Sequence, residues 1–326
     1  MKEKFEIFFT KQIYRMVHFD LHDSRKSVFL AGSARSGTTW LQDIINYDNE
    51  FRILFEPFHP ENGELFRTWK PSQYLRVGNK SPIYLDPMKD LLQGKVKDSW
   101  INSYNRRLFS QKRLIKAVYS NLFLYWMKRN FPEIPIILIL RHPCAVANSK
   151  MNIVKRNFIF TTNPLNRFLD QDDLMEDFLH SYKAELMDDK TVFETFIFMW
   201  CIENLIPLKQ FQPGEICLTF YENICVNPES EIKRVFTYIN KPYSIEVMDK
   251  VKTPGVMSRK NSAINLGTDL ISSWRKNISK EEIYRALEIL NLFGLEKVYN
   301  DNDTPQMEGD VTLMQFNSQE NLKHKH

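Results

Sequence analysis

Short apolar runs alternate with amphipathic segments along most of the chain. Five runs rich in Val, Ile, Leu and Phe predict strands, over residues 27–32, 52–55, 113–118, 134–140 and 215–221. Segments with apolar residues at helical spacing lie between and after them, over residues 38–47, 120–131, 172–186, 194–211, 229–239 and 280–292. The run at 134–140 shows no polar alternation, which is typical of a parallel strand covered on both faces. We therefore predict an α/β fold, a single domain in which a parallel sheet is flanked by helices on both faces.

The same pattern sets the expected domain boundaries. Residues 27–300 form the predicted α/β domain, residues 1–26 a helical extension, and residues 301–326 a polar tail that we expect to be flexible. Charged residues such as Lys11 and Arg15 interrupt the apolar stretch near the N terminus, and the run at 134–140 is too short to span a bilayer. We therefore expect no signal peptide, no membrane span and a cytoplasmic location.

Composition excludes several classes of protein. Of the 326 residues, 43% are hydrophobic and 26% are charged, which excludes a mainly disordered chain. Lys and Arg number 44 against 40 Asp and Glu, a net charge of +4. This excess is too mild to indicate a nucleic-acid partner. The four cysteines form no Cys-x-x-Cys pair, so we expect buried free thiols, no disulfide framework and no metal site.

The most informative segment joins the first predicted strand to the first predicted helix. It reads Gly-Ser-Ala-Arg-Ser-Gly-Thr-Thr-Trp over residues 32–40. A small-residue loop in this place directs backbone N–H groups and a helix N terminus at an anion, as in a P-loop-type sheet. The candidate binding residues are Arg35, Ser36, Gly37, Thr38 and Thr39. A P-loop kinase or NTPase needs Lys where Thr38 stands, which disfavours γ-phosphate chemistry.

A second candidate phosphate site follows the apolar run at 134–140. Arg141 comes at its end and Ser149 eight residues later, in the pattern Arg-x-Pro-x5-Ser. Ligands of open parallel sheets bind at the carboxyl ends of the strands, and an Arg beside a hydroxyl suits a phosphate group. The loop for a pyrophosphate-like group and this separate pair together indicate a doubly phosphorylated nucleotide.

These two segments resemble the sulfotransferase superfamily, whose sulfuryl donor is 3′-phosphoadenylyl sulfate (PAPS). Residues 34–40 resemble its 5′-phosphosulfate loop and residues 141–149 its 3′-phosphate motif. Residues 218–223 resemble its Tyr-Glu-Asp/Asn corner and residues 274–276 its late Trp-basic element, so the resemblance covers about residues 27–299. It implies that PAPS is bound, that adenosine 3′,5′-bisphosphate (PAP) is released, and that no metal is needed. The implied nucleotide-binding residues are Arg35, Ser36, Gly37, Thr38, Thr39, Arg141, Ser149 and Tyr221.

Further details are similar to the tyrosylprotein and carbohydrate branches of that superfamily. Arg35 stands where many small-molecule sulfotransferases carry Lys, and Glu56, within Phe-Glu-Pro, has the spacing from Arg35 of the tyrosylprotein enzymes' catalytic glutamate. Residues 78–82, Gly-Asn-Lys-Ser-Pro, are similar to an Asn-Lys-Asp-Pro segment. The resemblance implies that Glu56 is the base for the acceptor proton and that Arg35 and Lys80 neutralise charge on the sulfuryl group and the leaving phosphate. His59 is the rival base, because histidine is the side chain that most often transfers protons near neutral pH.

The predicted function is therefore that of an enzyme, a PAPS-dependent sulfotransferase acting on a hydroxyl or an amine by in-line displacement. A P-loop kinase or NTPase-like phosphoryl transferase is one alternative, and a nucleotide-binding protein without transfer activity is another. Residues 57–73, 98–111 and 152–173 are expected to shape the acceptor pocket, and their composition suits a small molecule, a glycan or a peptide equally. A homo-oligomer remains an open possibility.

Overall fold

The computed structural model describes residues 18–62, 66–154, 160, 162–253 and 269–323, with side chains described to residue 317. A two-residue strand near the N terminus, β1 (Phe19–Asp20), pairs in parallel with β4 (Phe109–Ser110). The main sheet contains the other strands, which are β2 (Ser27–Ala31), β3 (Phe51–Phe55), β5 (Lys112–Ala117), β6 (Ile136–Leu140) and β7 (Cys217–Phe220). These five strands are all parallel, in the order β3–β5–β2–β6–β7. The predicted parallel sheet is confirmed.

Helices cover both faces of this sheet, as predicted. The longer ones are α1 (Thr38–Ile45), α2 (Pro82–Leu92), α3 (Leu124–Asn130), α4 (Pro143–Val154), α5 (Val192–Gln210), α6 (Tyr221–Val226), α7 (Pro228–Tyr238), α8 (Lys280–Leu292) and α9 (Gly309–Lys323). Apolar residues of α1, α6 and α7 form one core layer against the sheet. Those of α2, α3, α4, α5, α8 and α9 form the other. Shorter helical segments cover Asn166–Leu169, Asp172–Leu174, Lys183–Met187 and Val247–Val251.

Local chemistry sets the ends of several elements. β6 begins at Ile136 because Pro135 has no N–H to donate, although its carbonyl still accepts a hydrogen bond from Phe29 N at 3.0 Å. At α8, the Ser279 side chain accepts from Glu282 N while the Glu282 carboxylate accepts from Ser279 N, so the predicted capping box is confirmed. α5 is apolar around most of its circumference and is buried over nearly its whole length, as expected for a helix enclosed by neighbours on all sides.

Two predicted helices are interrupted. The segment at 120–131 starts with a tight turn over Asn121–Phe123 before α3, and the Ser120 side chain makes no capping hydrogen bond. The segment at 172–186 divides into Asp172–Leu174, a wide turn over Met175–Leu179, a tight turn over His180–Tyr182, and Lys183–Met187. Helical spacing of apolar residues does not distinguish an unbroken helix from a series of turns that buries the same side chains.

The polar segment from residue 301 is not a patternless tail. Residues 309–323 form α9, in which Leu313 and Thr312 are fully buried and Phe316 is almost so. Gly309 lies so close to β7 that a Cβ there would be 2.2 Å from the Leu218 carbonyl oxygen. The expectation of a flexible tail is therefore wrong over 309–317. Only a few apolar residues hold this helix against α5 and β7, which is too sparse a pattern to stand out in the sequence.

The predicted N-terminal helical extension falls mostly on residues 1–17, which lie outside the described residues. Residues 18–26 contain β1 and a tight turn at Ser24–Lys26 rather than a longer helix. The cysteine thiols are free, as predicted, with Cys144, Cys201 and Cys217 buried and Cys225 partly exposed. In the part of the chain that is described, no helix is long and apolar enough to cross a membrane.

Candidate active site

The predicted phosphate loop connects the end of β2 to the first turn of α1. Gly37 precedes α1 with a left-handed backbone (φ 95°), and Arg35 is also left-handed (φ 78°). Ser36 N donates to Ser33 O at 3.0 Å, which closes the turn. Thr38 and Thr39 then begin α1, so the backbone N–H groups of its first turn lie next to this loop. This arrangement is suited to an anion with several oxygen atoms.

Gly37 is required at its position for two reasons. Its positive φ is costly for a residue with a Cβ. A Cβ there would also lie 2.7 Å from the Tyr221 ring, at the start of α6. The Tyr221 ring packs on Trp40 with ring centroids 5.1 Å apart, and both side chains are buried. The predicted nucleotide-binding residue Tyr221 is therefore in direct contact with the loop.

Arg141 directly follows β6 and extends over the same tyrosine. Its guanidinium lies 4.1 Å from the centre of the Tyr221 ring, a cation–π contact. Its Nη2 donates a long hydrogen bond of 3.5 Å to Leu270 O. Its Nε is buried and has no hydrogen-bond partner among the described residues. A guanidinium that is held in place with a free N–H is well prepared to bind a phosphate oxygen.

The structure brings the two predicted phosphate sites together. Arg35, from the first site, donates from Nε to the Ser149 hydroxyl of α4, from the second, at 2.9 Å. The Ser36 hydroxyl is buried and, within the described residues, has no hydrogen-bond partner. The unpartnered Ser36 hydroxyl and Arg141 Nε are both suited to bind the phosphate oxygens of a nucleotide such as PAPS.

Glu56 lies at the same edge of the sheet, immediately after β3. Its backbone has a positive φ of 42°, a conformation that costs free energy in a residue with a side chain. Its N–H donates to Lys116 O at 2.7 Å, and its carboxylate forms an ion pair with the Lys116 ammonium. The carboxylate is only 17% exposed. The left-handed turn therefore points this side chain back to the end of β5.

Lys116 is a site residue that the sequence analysis missed. It is the fifth residue of β5, in register with Phe55 of β3 and Leu30 of β2, and only 2% of its side chain is exposed. Burial lowers the pKa of its ammonium, Glu56 raises it, and the Arg35 charge lowers it further. Arg35, Glu56 and Lys116 are thus within electrostatic reach of one another. A lone Lys between apolar neighbours in the run Leu-Ile-Lys-Ala was the available signal.

Lys80 does not join this group. It is exposed, and its ammonium donates to the side chain of Asn130, the last residue of α3. Since α3 leads away from the carboxyl end of β5 towards the start of β6, Asn130 lies near the opposite edge of the sheet. The adjacent Asn79 carbonyl accepts from Trp126 Nε1 at 2.7 Å, which keeps this loop against α3. The expectation that Lys80 acts beside Glu56 and Arg35 is not supported by this geometry.

His59 lies beside Glu56 in a partly exposed aromatic group. Its N–H donates to Glu56 O at 3.1 Å, and its ring centre is 5.5 Å from Trp100 and 6.0 Å from Tyr119. Arg167 lies over the Tyr119 ring at 5.9 Å. Tyr119 and Trp100 come from the segments after β5 and before β4, so three separate loops form this wall. Both candidate bases, Glu56 and His59, therefore lie in one turn after β3.

A buried network of hydrogen bonds and stacked rings holds His142, the residue that follows Arg141. Glu222 is fully buried and accepts from His142 N at 2.9 Å and from the Tyr299 hydroxyl at 2.8 Å. The His142 ring stacks on Trp274, with centroids 4.6 Å apart, and burial lowers the pKa of His142 to about 3. This histidine is therefore neutral and structural. The predicted late Trp-basic element contributes Trp274 to this network, whereas Arg275 pairs with Asp301 and Asp303, away from the phosphate sites.

Comparisons with known proteins identify the family of this chain. The sulfotransferase domain family matches residues 25–286. A solved structure of mouse sulfotransferase SULT7A1 complexed with PAP is 14% identical over 93% of this chain and 92% of that chain, with a TM-score of 0.45. The sulfotransferase domain of the Synechococcus PCC 7002 olefin synthase is 13% identical over 86% and 96%, with a TM-score of 0.43. Sulfotransferase STF9 from Mycobacterium avium is 11% identical over 86% and 79%, with a TM-score of 0.46. No curated protein sequence matches the chain.

The assignment rests on the family match, which covers most of the chain and includes both phosphate segments, Glu56 and Lys116. The chain therefore belongs to the sulfotransferase domain family, and the protein is a PAPS-dependent sulfotransferase.

Proposed function

We propose that this protein transfers the sulfuryl group of PAPS to a hydroxyl or an amine of an acceptor, with Glu56 as the base. The observation that carries the proposal is the convergence of both phosphate sites and the Glu56–Lys116 pair at one edge of the sheet. PAPS, when bound, supplies a sulfuryl group activated by its phosphate leaving group. The chain then has to position the acceptor, take its proton and stabilise the developing charge.

The proposed roles follow from the contacts of each residue. The loop at 35–39 and the N terminus of α1 bind the 5′-phosphosulfate, while Arg141 and Ser149 bind the 3′-phosphate, with Tyr221 beneath them. Arg35 and Lys116 neutralise charge on the sulfuryl oxygens and the leaving phosphate. In this role Lys116 replaces Lys80, the residue that the sequence resemblance implies. The ion pair with Lys116 also holds the Glu56 carboxylate at the sheet edge, where it accepts the acceptor proton.

The binding half of the proposal is tested by titrating PAP calorimetrically into the wild type and Arg141→Ala. We expect the variant to bind PAP about 10- to 100-fold more weakly, because a charge-assisted hydrogen bond to phosphate is lost. Arg285→Ala is the matched control, since that guanidinium is half exposed on α8 and pairs with Glu194 and Glu288. Equal affinity of Arg141→Ala and the wild type would contradict the assignment. Binding of ATP with Mg²⁺ but not of PAP would favour a kinase.

A second variant tests the close contact between the phosphate loop and Tyr221. Gly37→Ala is expected to weaken PAP binding at least about tenfold, because the new Cβ displaces the Tyr221 ring and strains a positive φ. Gly214→Ala is the control, since Gly214 has a similar φ of 81° but a Cβ there would have no atom of the described residues within 4 Å. Both variants are compared in thermal unfolding and PAP titration. Unchanged PAP affinity in Gly37→Ala would place the nucleotide elsewhere.

A further inference from the structure

One face of α5 lies against the predicted active site. Trp200 Nε1 donates to Arg141 O at 3.0 Å, and Asn204 Nδ2 donates to Ser33 Oγ of the phosphate loop at 3.3 Å. Residues three and four positions apart share a face of a helix, so Glu203 belongs to the same stripe as Trp200 and Phe196. This helix therefore places a carboxylate directly beside the two residues that support the nucleotide site.

One carboxylate oxygen of Glu203 lacks the hydrogen bond that a buried carboxylate oxygen normally has. It is 5% exposed, and its Oε2 has no hydrogen-bond partner among the residues that the structure describes. Burial of such a group without hydrogen bonds is costly. Glu222 provides the contrast within the same protein, because it is fully buried and both of its carboxylate oxygens accept hydrogen bonds, from His142 N and the Tyr299 hydroxyl. An unpartnered buried carboxylate oxygen beside the predicted active site points to a ligand that completes it.

The surroundings of Glu203 connect it to the Glu56 region. Burial lowers the pKa of Lys150, which follows Ser149, and the charge of Glu203 raises it. The phenol of Tyr119, whose pKa is raised by burial, is influenced by Arg167, Glu203 and Glu56 together. Tyr119 is thus within electrostatic reach of both carboxylates. The Ser120 hydroxyl, next in sequence, is also fully buried and unpartnered within the described residues.

This combination of charges selects against charged acceptors. An anionic group would lie near the Glu56 and Glu203 carboxylates, and a cationic group would lie near Lys116, Lys150 and Arg167. An uncharged hydroxyl donates a hydrogen bond to a carboxylate without adding charge to the site. Beside these carboxylates, the partly exposed rings of His59, Trp100 and Tyr119 offer an apolar surface to the acceptor.

We propose that Glu203 is a specificity-determining residue that accepts a hydrogen bond from a second hydroxyl of an uncharged, polyhydroxylated acceptor whose reacting hydroxyl faces Glu56. This inference rests on the proposed function and adds the acceptor class to it. Glu203 contacts the acceptor but not its reacting oxygen, so its removal weakens acceptor binding more than nucleotide binding.

The test measures binding of small probes to the PAP-loaded protein by saturation-transfer NMR titration. The neutral probes are the methyl β-glycosides of glucose, galactose and N-acetylglucosamine. Glucuronic acid, glucosamine and 4-nitrophenol are the anionic, cationic and single-hydroxyl probes. We expect the wild type to prefer at least one neutral glycoside over both charged sugars. Glu203→Gln should weaken that glycoside at least about tenfold and change 4-nitrophenol binding less than twofold.

Thermal unfolding separates an acceptor-binding role from a structural one. Because Glu203 Oε2 has no hydrogen-bond partner among the described residues and Gln keeps the size of the side chain, Glu203→Gln should change the Tm little. Glu229→Gln, an exposed change on α7, should alter neither binding nor Tm. A lowered Tm with equal losses for all probes would assign Glu203 a structural role and overturn the inference. It is also overturned if the PAP-loaded wild type binds no neutral glycoside. In that case, retained PAP binding would leave the proposed sulfotransferase function intact, whereas failure of PAP itself to bind would overturn both.

Discussion

Glu56→Gln is expected to lower kcat for sulfuryl transfer by about 10²- to 10⁴-fold, the usual contribution of a general base. The amide keeps the size of the side chain and a hydrogen-bond acceptor for Lys116, but it cannot take the acceptor proton. The affinity for PAP should change little, because Glu56 is not among the proposed phosphate ligands. The measurement is transfer of labelled sulfuryl from PAPS to a hydroxyl acceptor found by screening, alongside a PAP titration.

Two variants in the same loop make this result interpretable. Glu61→Ala changes an exposed carboxylate five residues further on and should leave kcat within about twofold of the wild type. His59→Ala tests the rival base, whose ring lies in the same aromatic wall. A larger loss of kcat in His59→Ala than in Glu56→Gln would transfer the role of the base to His59. Full activity of Glu56→Gln with normal PAP binding would remove Glu56 from the mechanism.

Asp20→Ala is expected to destabilise the fold by about 3 kcal/mol, since it leaves two buried guanidinium groups without their counter-ion. The Asp20 carboxylate pairs with Arg52 at 3.1 Å and also with Arg113, and all three side chains are fully buried. Burial lowers the pKa of Arg52 to about 10, and Asp20 acts in the opposite direction. Arg52 keeps its hydrogen bonds to Asn102 Oδ1 and Gly94 O, both at 2.8 Å, which places the loss at the lower end of the range for buried pairs.

The measurement is chemical or thermal unfolding, with Asp23→Ala as the control in the same segment. The Asp23–Arg25 pair is exposed, with 75% of the arginine side chain accessible, so its loss should shift the unfolding midpoint far less. Asp20 precedes β2 and the proposed nucleotide site follows it, at the other end of that strand, so folded Asp20→Ala should still bind PAP. Equal midpoints for the Asp20 and Asp23 variants would show that the buried pairs contribute little to stability.

Glu56 and Lys80 differ in how well their positions in the fold can be predicted from the sequence. Glu56 follows a strand directly, and residues that follow parallel strands converge at one edge of the sheet whatever their sequence separation. Lys80 lies in a long connection between β3 and α2, where spacing in sequence carries no information on position in space. Lys116 is the reverse case, because the apolar run around it predicts a buried strand residue, whereas its ammonium pairs with Glu56 at the end of β3.

The sequence by itself determined the parallel sheet, its covering helices and the two candidate phosphate segments. These features depend on local rules, since apolar runs predict buried strands and a glycine-bounded loop before a helix predicts an anion site. Tertiary structure alone decided which charges meet. The pairing of Glu56 with Lys116 and the contact of Arg35 with Ser149 join residues from separate elements. Packing of separate elements also leaves Glu203 Oε2 buried without a hydrogen-bond partner among the described residues. Tertiary structure also decided the packing of α9 on β7. A few buried side chains are enough to order a polar helix when they can pack against an existing core.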